Sequence, residues 1–289
     1  MPESISLGII GGSGLYSLEG FADRQELEVQ TPFGKPSAPI VVGRLENRRI
    51  AFVARHGLGH RLTPSEVPYR ANIYALKSLG IERVLSVSAC GSLREDYMPG
   101  QIVVPDQLLD NTRGRDRSFF GRGLVAHLSV PNPFCPDLSR QLTEAVRRAG
   151  GEVHVGGAFV TIEGPRFSTK AESELFRSWG MSIVGMTAAP EAFLAREAEM
   201  CYATMAHVTD YDVWHLSEAP VTVDAVVKTL RKNTALAQAA IRVLLGQLTD
   251  ERACDCKTSM SGAFITELDA VPKSLISELG PLVAKYIPK

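Results

Sequence analysis

Short apolar, β-rich runs recur along this chain with helix-like stretches between them, and that alternation limits the fold more than any single residue does. The runs are 6–10, 40–43, 50–54, 83–88, 101–104, 157–162, 182–186 and 201–208, and helices are predicted at 65–79, 137–149, 169–178, 191–199 and 222–248. Strands covered on both faces read as continuous apolar runs, so the pattern predicts an α/β fold: a central mixed, mainly parallel sheet flanked by helices. No repeat, low-complexity tract or glycine-serine linker divides it, so one domain is expected over 1–248. In the extension 249–289, Leu275, Ile276, Leu279, Leu282 and Val283 mark an amphipathic helix broken at Gly280-Pro281. It is expected to pack on the domain or on a neighbouring subunit.

The 289 residues are 45% apolar, ample for one large core. With 31 basic and 32 acidic side chains the net charge is -1, so no surface for nucleic acid or an anionic membrane is expected. Any anion must therefore be bound locally. Met1-Pro2-Glu3-Ser4 has no basic leader character, and no stretch approaches the ~18 apolar residues of a membrane span, which predicts a cytoplasmic protein. Five cysteines, at 90, 135, 201, 254 and 256, include no C-x-x-C pair and support neither a zinc ribbon nor a thioredoxin-like motif. Cys90, Cys135 and Cys201 read as reduced core thiols. Cys254-Asp255-Cys256 reads as exposed, with a C-x-C disulfide or a bridge to another cysteine as the alternative. No metal site is expected, because Gly57 and Gly59 between His56 and His60 argue against a helix presenting that pair.

Candidate chemistry gathers where strands end. In Val208-Thr209-Asp210-Tyr211-Asp212-Val213-Trp214 the alternation of a strand would point Asp210 and Asp212 the same way, and a buried carboxyl held protonated is a general acid. Taken alone, such a D-x-D is more often a strand-end turn. Gly11-Gly12-Ser13-Gly14 offers bare amides and a hydroxyl to an oxyanion, yet Ser17 stands where a dinucleotide fingerprint needs its third glycine, and no P-loop lysine follows. Arg55 supplies a fork for phosphate and His56 a further donor. Ser88 and Ala89 follow another strand, where Cys90 fits core packing better than a nucleophile elbow. Phe167 suits stacking on a planar ligand, with Ser168 beside it, and Met186 and Thr187 precede a helix for which Thr187 is also a natural N-cap.

In chain order the motifs are G-I-I-G-G-S-G-L, T-P-F-G-K-P-S, A-R-H-G, A-C-G-S-L-R-E, T-I-E-G-P-R-F-S, M-T-A-A-P-E and T-D-Y-D-V-W. This series resembles the 5′-methylthioadenosine phosphorylases of the trimeric purine nucleoside phosphorylase family, over about residues 6–248. The resemblance implies a nucleoside phosphorylase domain of phosphorylase/hydrolase-like fold. It implies phosphate among Ser13, Arg55, His56, Ser88, Ala89 and Thr187, with Met186 against the ribose and Phe167 and Ser168 on the base side. Asp210 would meet purine N7 and Asp212 the exocyclic amino group, as the catalytic pair. Val221, Val223 and Val226 would form the 5′-alkylthio pocket, with His127 from an adjacent subunit of a homotrimer or a higher multiple. Inorganic phosphate would be a co-substrate, with no metal or organic cofactor.

Departures from that pattern are Ser13 and Ser88 for threonine and Gly185 for an asparagine before the methionine. The alternative within the same family is a 6-oxopurine or 5′-methylthioinosine phosphorylase, which the paired carboxylates disfavour. An NAD-dependent oxidoreductase is disfavoured by the failed glycine fingerprint. A non-catalytic nucleoside binder would have to lack the acid or phosphate residues, and both sets are present.

Overall fold

The computed structural model describes residues 4–12, 20–215 and 223–287. Its strands are β1 Leu7–Gly11, β2 Ala22–Leu27, β3 Ile40–Leu45, β4 Arg48–Ala54, β5 Arg83–Ser92, β6 Ile102–Val104, β7 Gln107–Asn111, β8 Val153–Val155, β9 Ala158–Ile162, β10 Ile183–Gly185 and β11 Cys201–Asp210. The α-helices are α1 Tyr69–Ser78, α2 Pro136–Arg148, α3 Lys170–Ser178, α4 Ala188–Glu197, α5 Val223–Gln247 and α6 Lys273–Leu279. Every apolar run read from the sequence is a strand. The strands not foreseen are β2, a polar, almost fully exposed segment, and the short or weakly apolar β7 and β8. Residues 65–68 do not open α1 as expected. A turn precedes Pro68, and Ser65 instead donates to Glu163 Oε1 at 2.5 Å.

All the strands join one mixed sheet. β1 runs parallel to β4 and β5, and β5 parallel to β11, while β9 runs parallel to β7 and β10. The two groups meet antiparallel where β10 pairs with β5. Their C-terminal ends therefore face each other across a seam. Alternate residues of the central strands feed opposite faces, as strand geometry requires. Leu85, Ala203 and Met205 pack with Leu142 and Ala145 of α2 and Ile241 and Leu244 of α5, whereas Val84 and Tyr202 pack with Ile73 and Leu76 of α1 and Leu194 and Ala195 of α4. α2 shows why the helices settle there: Leu138, Leu142, Ala145 and Val146 recur at helical spacing on its buried side.

The tail joins both clusters, Cys256 in the first and its later apolar residues in the second. Val271, Leu275, Leu279, Leu282 and Val283 pack with the α1 and α4 residues, and the Tyr74 hydroxyl donates to Glu278 O at 3.1 Å. α6 stops at Gly280, whose φ of 46° admits glycine readily, and a short 3-10 turn Gly280–Leu282 follows. No helix among the described residues is long and apolar enough to cross a membrane.

Candidate active site at the seam of the sheet

β5 is the strand that makes the site. Along one edge it pairs with β1 through Ser86 and with β10 from Gly91, which leaves Val87–Cys90 unpaired by strand on that side, while β11 pairs continuously along the other. The sequence placed a turn after Ser88. The strand in fact runs through Ser92, so Ser88 and Ala89 offer mid-strand backbone at an opening in the sheet. A cavity of about 730 Å³ opens there, lined by Gly12, Arg55, His56, Ser88, Ala89, Phe167, Ser168, Met186, Thr187, Asp210 and Asp212 among others. An open crevice at strand C-termini is the usual ligand position in α/β sheets.

Arg55 follows β4 and is 1% exposed, as is the Glu191 side chain that holds it. Its Nε donates to Glu191 Oε2 at 3.0 Å and its Nη2 to Glu191 Oε1 at 3.1 Å, a two-pronged ion pair that the Tyr202 hydroxyl completes at 2.7 Å. Nη1 donates to Val87 O in the β5 gap at 3.0 Å, and Nη2 also reaches Ser86 Oγ at 2.7 Å. Burial alone would lower the guanidinium pKa, but the Glu191 charge and hydrogen bonds raise it above the ordinary arginine value. The cation is thus fixed and permanent. His56 differs, because burial and the neighbouring Arg55 charge lower its pKa to about 4. It is neutral at pH 7, and Nδ1–H donates to Leu62 O at 2.9 Å, so Nε2 is an acceptor rather than the donor expected from sequence. Its ring stacks on His60 with centroids 4.3 Å apart.

Ser88 Oγ is buried with no hydrogen-bond partner among the described residues. Thr187 occupies the N-cap position of α4 but makes no capping hydrogen bond, so its hydroxyl is not spent on the helix. These groups line the cavity together with Arg55. Ser13 and Val221 lie outside the described residues, as do the side chains of Val223 and Val226. α5 enters the lining through Val227, Thr234 and Ala237. His127 is exposed and does not line this chain's cavity.

The two aspartates are not on one strand face as the alternation predicted. β11 bulges between Val208 and Asp210 and ends there, and Asp212 sits in the following turn at φ 52°, donating its backbone N–H to Asp210 Oδ1 at 2.8 Å. A bulge and a left-handed residue re-aim the pair, so both still face the cavity. Gly91 makes this possible, because a Cβ there would meet Asp210 Oδ1 at 3.0 Å and Asp212 Cβ at 3.2 Å. Burial raises the Asp210 pKa; the Thr209 hydroxyl, donating at 2.7 Å, and the Asp212 N–H pull it back, and the Asp212 charge adds to the rise. Burial also raises Asp212, against the opposing pull of the Ser173 and Ser168 hydroxyls. Asp212 Oδ2, Ser168 Oγ and Ser173 Oγ are nonetheless buried without a hydrogen-bond partner among the described residues. Unpaired buried polar atoms are costly unless a ligand satisfies them.

Phe167 stands at the mouth, 37% exposed. The loop that carries it is braced from below by Arg115, which the sequence reading did not single out. Arg115 donates to Glu163 Oε1 at 3.0 Å, Glu163 O at 2.7 Å, Met186 O at 2.7 Å and Ala189 O at 2.8 Å, tying the loops after β9 and β10 together. Glu163 also accepts from the N–H groups of Arg113 and Gly114; despite burial, which raises it, these bonds and those from Ser65 and Arg115 lower its pKa to about 2. Glu163 and Glu191 lie inside motifs already quoted. Their partners are far away in sequence, so only the fold reveals their work. Gly185 is explained by packing: a Cβ there would meet Phe159 Cζ at 2.7 Å, so the aromatic ring fills the room a side chain would need.

Residues 6–245 match the profile of the phosphorylase superfamily. The chain is 50% identical over 285 residues to S-methyl-5′-thioadenosine phosphorylase of Chloroflexus aurantiacus, covering 98% of this chain and 99% of that one. It is 49% identical over 282 residues to the enzyme of the same name from Geobacter sulfurreducens, covering 97% and 99%. Among solved structures, a methylthioadenosine phosphorylase from an antarctic soil metagenomic library superposes with a TM-score of 0.92 at 44% identity, covering 97% of this chain and 99% of that one. A methylthioadenosine phosphorylase from Schistosoma mansoni in complex with adenine superposes with a TM-score of 0.85 at 37% identity, covering 90% and 99%. With this fold, this seam and these likenesses, the chain belongs to the phosphorylase superfamily and, within it, to the S-methyl-5′-thioadenosine phosphorylase family.

Proposed function

We propose that the protein catalyses reversible phosphorolysis of 5′-methylthioadenosine, giving adenine and 5-methylthioribose 1-phosphate for purine and methionine salvage in the cytoplasm. The observation that carries this is one cavity with unpaired buried polar atoms of two kinds: a hydroxyl beside a fixed guanidinium, and a carboxylate oxygen beside two serines. The first set suits inorganic phosphate, held by Arg55, Ser88, the Ala89 backbone and Thr187, with Ser13 completing it. Neutral His56 offers Nε2 to accept a hydrogen bond from the P–OH of monohydrogen phosphate. The second set suits a purine: Phe167 covers the ring, Asp212 accepts from the 6-amino group and Asp210 serves N7.

Glycosidic cleavage develops positive charge on the sugar and negative charge on the departing base. Phosphate beneath the sugar offsets the first, and a proton donated or shared by Asp210 offsets the second. The raised Asp210 pKa favours the protonated carboxyl this requires. No organic cofactor has a task in these steps. Adenine release from 5′-methylthioadenosine is therefore expected to fall to the uncatalysed background in phosphate-free buffer and to return with added phosphate, as followed by chromatography. Equal release without phosphate makes the enzyme a hydrolase.

The same reading places His127 of a neighbouring subunit over the 5′-alkylthio group. Supporting this, Val125 and Ile265 beside it are 46% and 65% exposed, on a ribbon in which Ile265 N–H donates to Val125 O. Exposed apolar surface of that kind is characteristic of an interface. Multi-angle light scattering is expected to give a trimer or a multiple of it, and a fully active monomer at assay concentration refutes the shared site.

A further inference from the structure

Along the chain Cys135 and Cys201 are separate core thiols, and their spacing predicts no metal site. The fold brings them to Cys254 and Cys256, and the four Sγ atoms lie within 4.8 Å of one another. They arrive from three directions. Cys135 caps the N-terminus of α2, Cys201 opens β11, and the C-x-C pair comes from the tail after α5. We propose that Cys135, Cys201, Cys254 and Cys256 bind a structural zinc ion that staples the C-terminal extension to the sheet.

Zinc bound by four thiolates at ~2.3 Å in a tetrahedron sets neighbouring sulfurs ~3.8 Å apart. The observed cluster brackets that spacing, with Cys201 and Cys254 Sγ at 3.3 Å and every other pair inside 4.8 Å. All are free thiols. Four clustered thiols also arise from plain apolar packing, since cysteine behaves as a small hydrophobe. What apolar packing does not account for is the set of donors aimed at the sulfurs. Arg196 Nη1 donates to Cys256 Sγ at 2.8 Å, and the Leu138 N–H donates to Cys135 Sγ at 3.4 Å from the first turn of α2. A cation and a helix N-terminus offset the negative charge that four thiolates around one divalent ion carry. An all-sulfur tetrahedral donor set selects zinc over the hard cations that prefer oxygen. Cys254 is only partly buried, which gives the ion an entry route.

The site has no part in the chemistry. β11 runs from Cys201 at the cluster to Asp210 at the cavity, ten residues and so roughly 30 Å apart. Removing the metal is expected to lower thermal stability and leave kcat unchanged.

The test uses the full-length protein as purified under reducing conditions in zinc-containing medium. Elemental analysis is expected to find about one zinc per chain, and the denatured chain to have the mass of the fully reduced sequence. Stripping with a chelator in denaturant and refolding with Co²⁺ is expected to give the blue-green spectrum of tetrahedral cobalt thiolate. A Cys254→Ser, Cys256→Ser variant is expected to lose the metal, melt lower and keep kcat. Metal-free protein whose mass is lower by the hydrogens lost on bridging shows disulfides and overturns the proposal. Metal-free, fully reduced protein that takes up neither Zn²⁺ nor Co²⁺ overturns it too. If the double variant proves insoluble, the wild-type zinc content and cobalt spectrum still decide.

Discussion

The enzyme is expected to prefer 5′-methylthioadenosine to 5′-methylthioinosine in kcat/KM by as much as ~10⁴–10⁵, the penalty for leaving a buried hydrogen-bonding group unpaired. Asp212 Oδ2 is buried near the Ser168 and Ser173 hydroxyls without a well-formed hydrogen bond among the described residues, and the amino group of a 6-aminopurine is a donor suited to it. A 6-oxo group presents lone pairs to the same oxygen. Nothing at position 185 softens the contrast, because the Phe159 ring holds the space an asparagine would need. The expected consequences divide between the two carboxylates. Asp210→Ala lowers kcat for the adenosine substrate by ~10²–10⁴, the usual value of a positioned proton donor. Asp210→Asn with Asp212→Ala erodes or inverts the base preference, since alanine removes the carboxylate that confronts a 6-oxo group while the amide at 210 still donates to N7. Steady-state kinetics with both nucleosides on all three proteins decide the matter. Wild-type preference for the inosine analogue moves the protein to the 6-oxopurine branch.

The same two aspartates show how far the sequence could be read. That both line one pocket was only the lesser of two readings of their spacing, and the route was not legible at all. Strand alternation was the wrong local geometry, and a bulge with a left-handed turn produces the convergence instead. The central strands were legible because each carries a continuous apolar run that is buried on both faces. β2 was not, because its side chains face solvent and carry no hydrophobic period. Thr187 could be named from sequence, whereas Glu191 beside it could not, because its role depends on an arginine 136 residues away in the chain. Cys201 and Cys254 are likewise 53 residues apart, so spacing along the chain gave no sign of their contact. Local pattern reports elements and turn chemistry. Pairings between distant polar groups appear only once the sheet has set their register.

Glu191→Ala is expected to cost ~3–5 kcal/mol of stability, because it strands a buried guanidinium without its counter-charge. For a chain of this length that corresponds to a melting midpoint lower by roughly 6–10 °C. The ion pair is worth less than that figure suggests, since much of the loss is the penalty of the unpaired charge left behind. Glu191→Gln keeps the shape and one acceptor for Arg55, so it should fall between wild type and alanine. The functional consequence has its own signature. Arg55 spends Nε and one Nη2 hydrogen on Glu191, the other Nη2 hydrogen on Ser86 Oγ and one Nη1 hydrogen on Val87 O in the β5 gap, so the acid fixes the direction in which the second Nη1–H is presented. In the alanine variant a bound anion takes over compensation of the cation from the lost carboxylate, and inorganic phosphate should raise the midpoint of the variant more than that of wild type. Its phosphate KM is nonetheless expected to rise, because a freed guanidinium no longer presents one geometry. Scanning calorimetry across a phosphate series, with KM for phosphate measured on the same preparations, reads both effects. An alanine variant that melts with wild type, or equal stabilisation of the two proteins by phosphate, would show that Glu191 does not hold the anion-binding arginine.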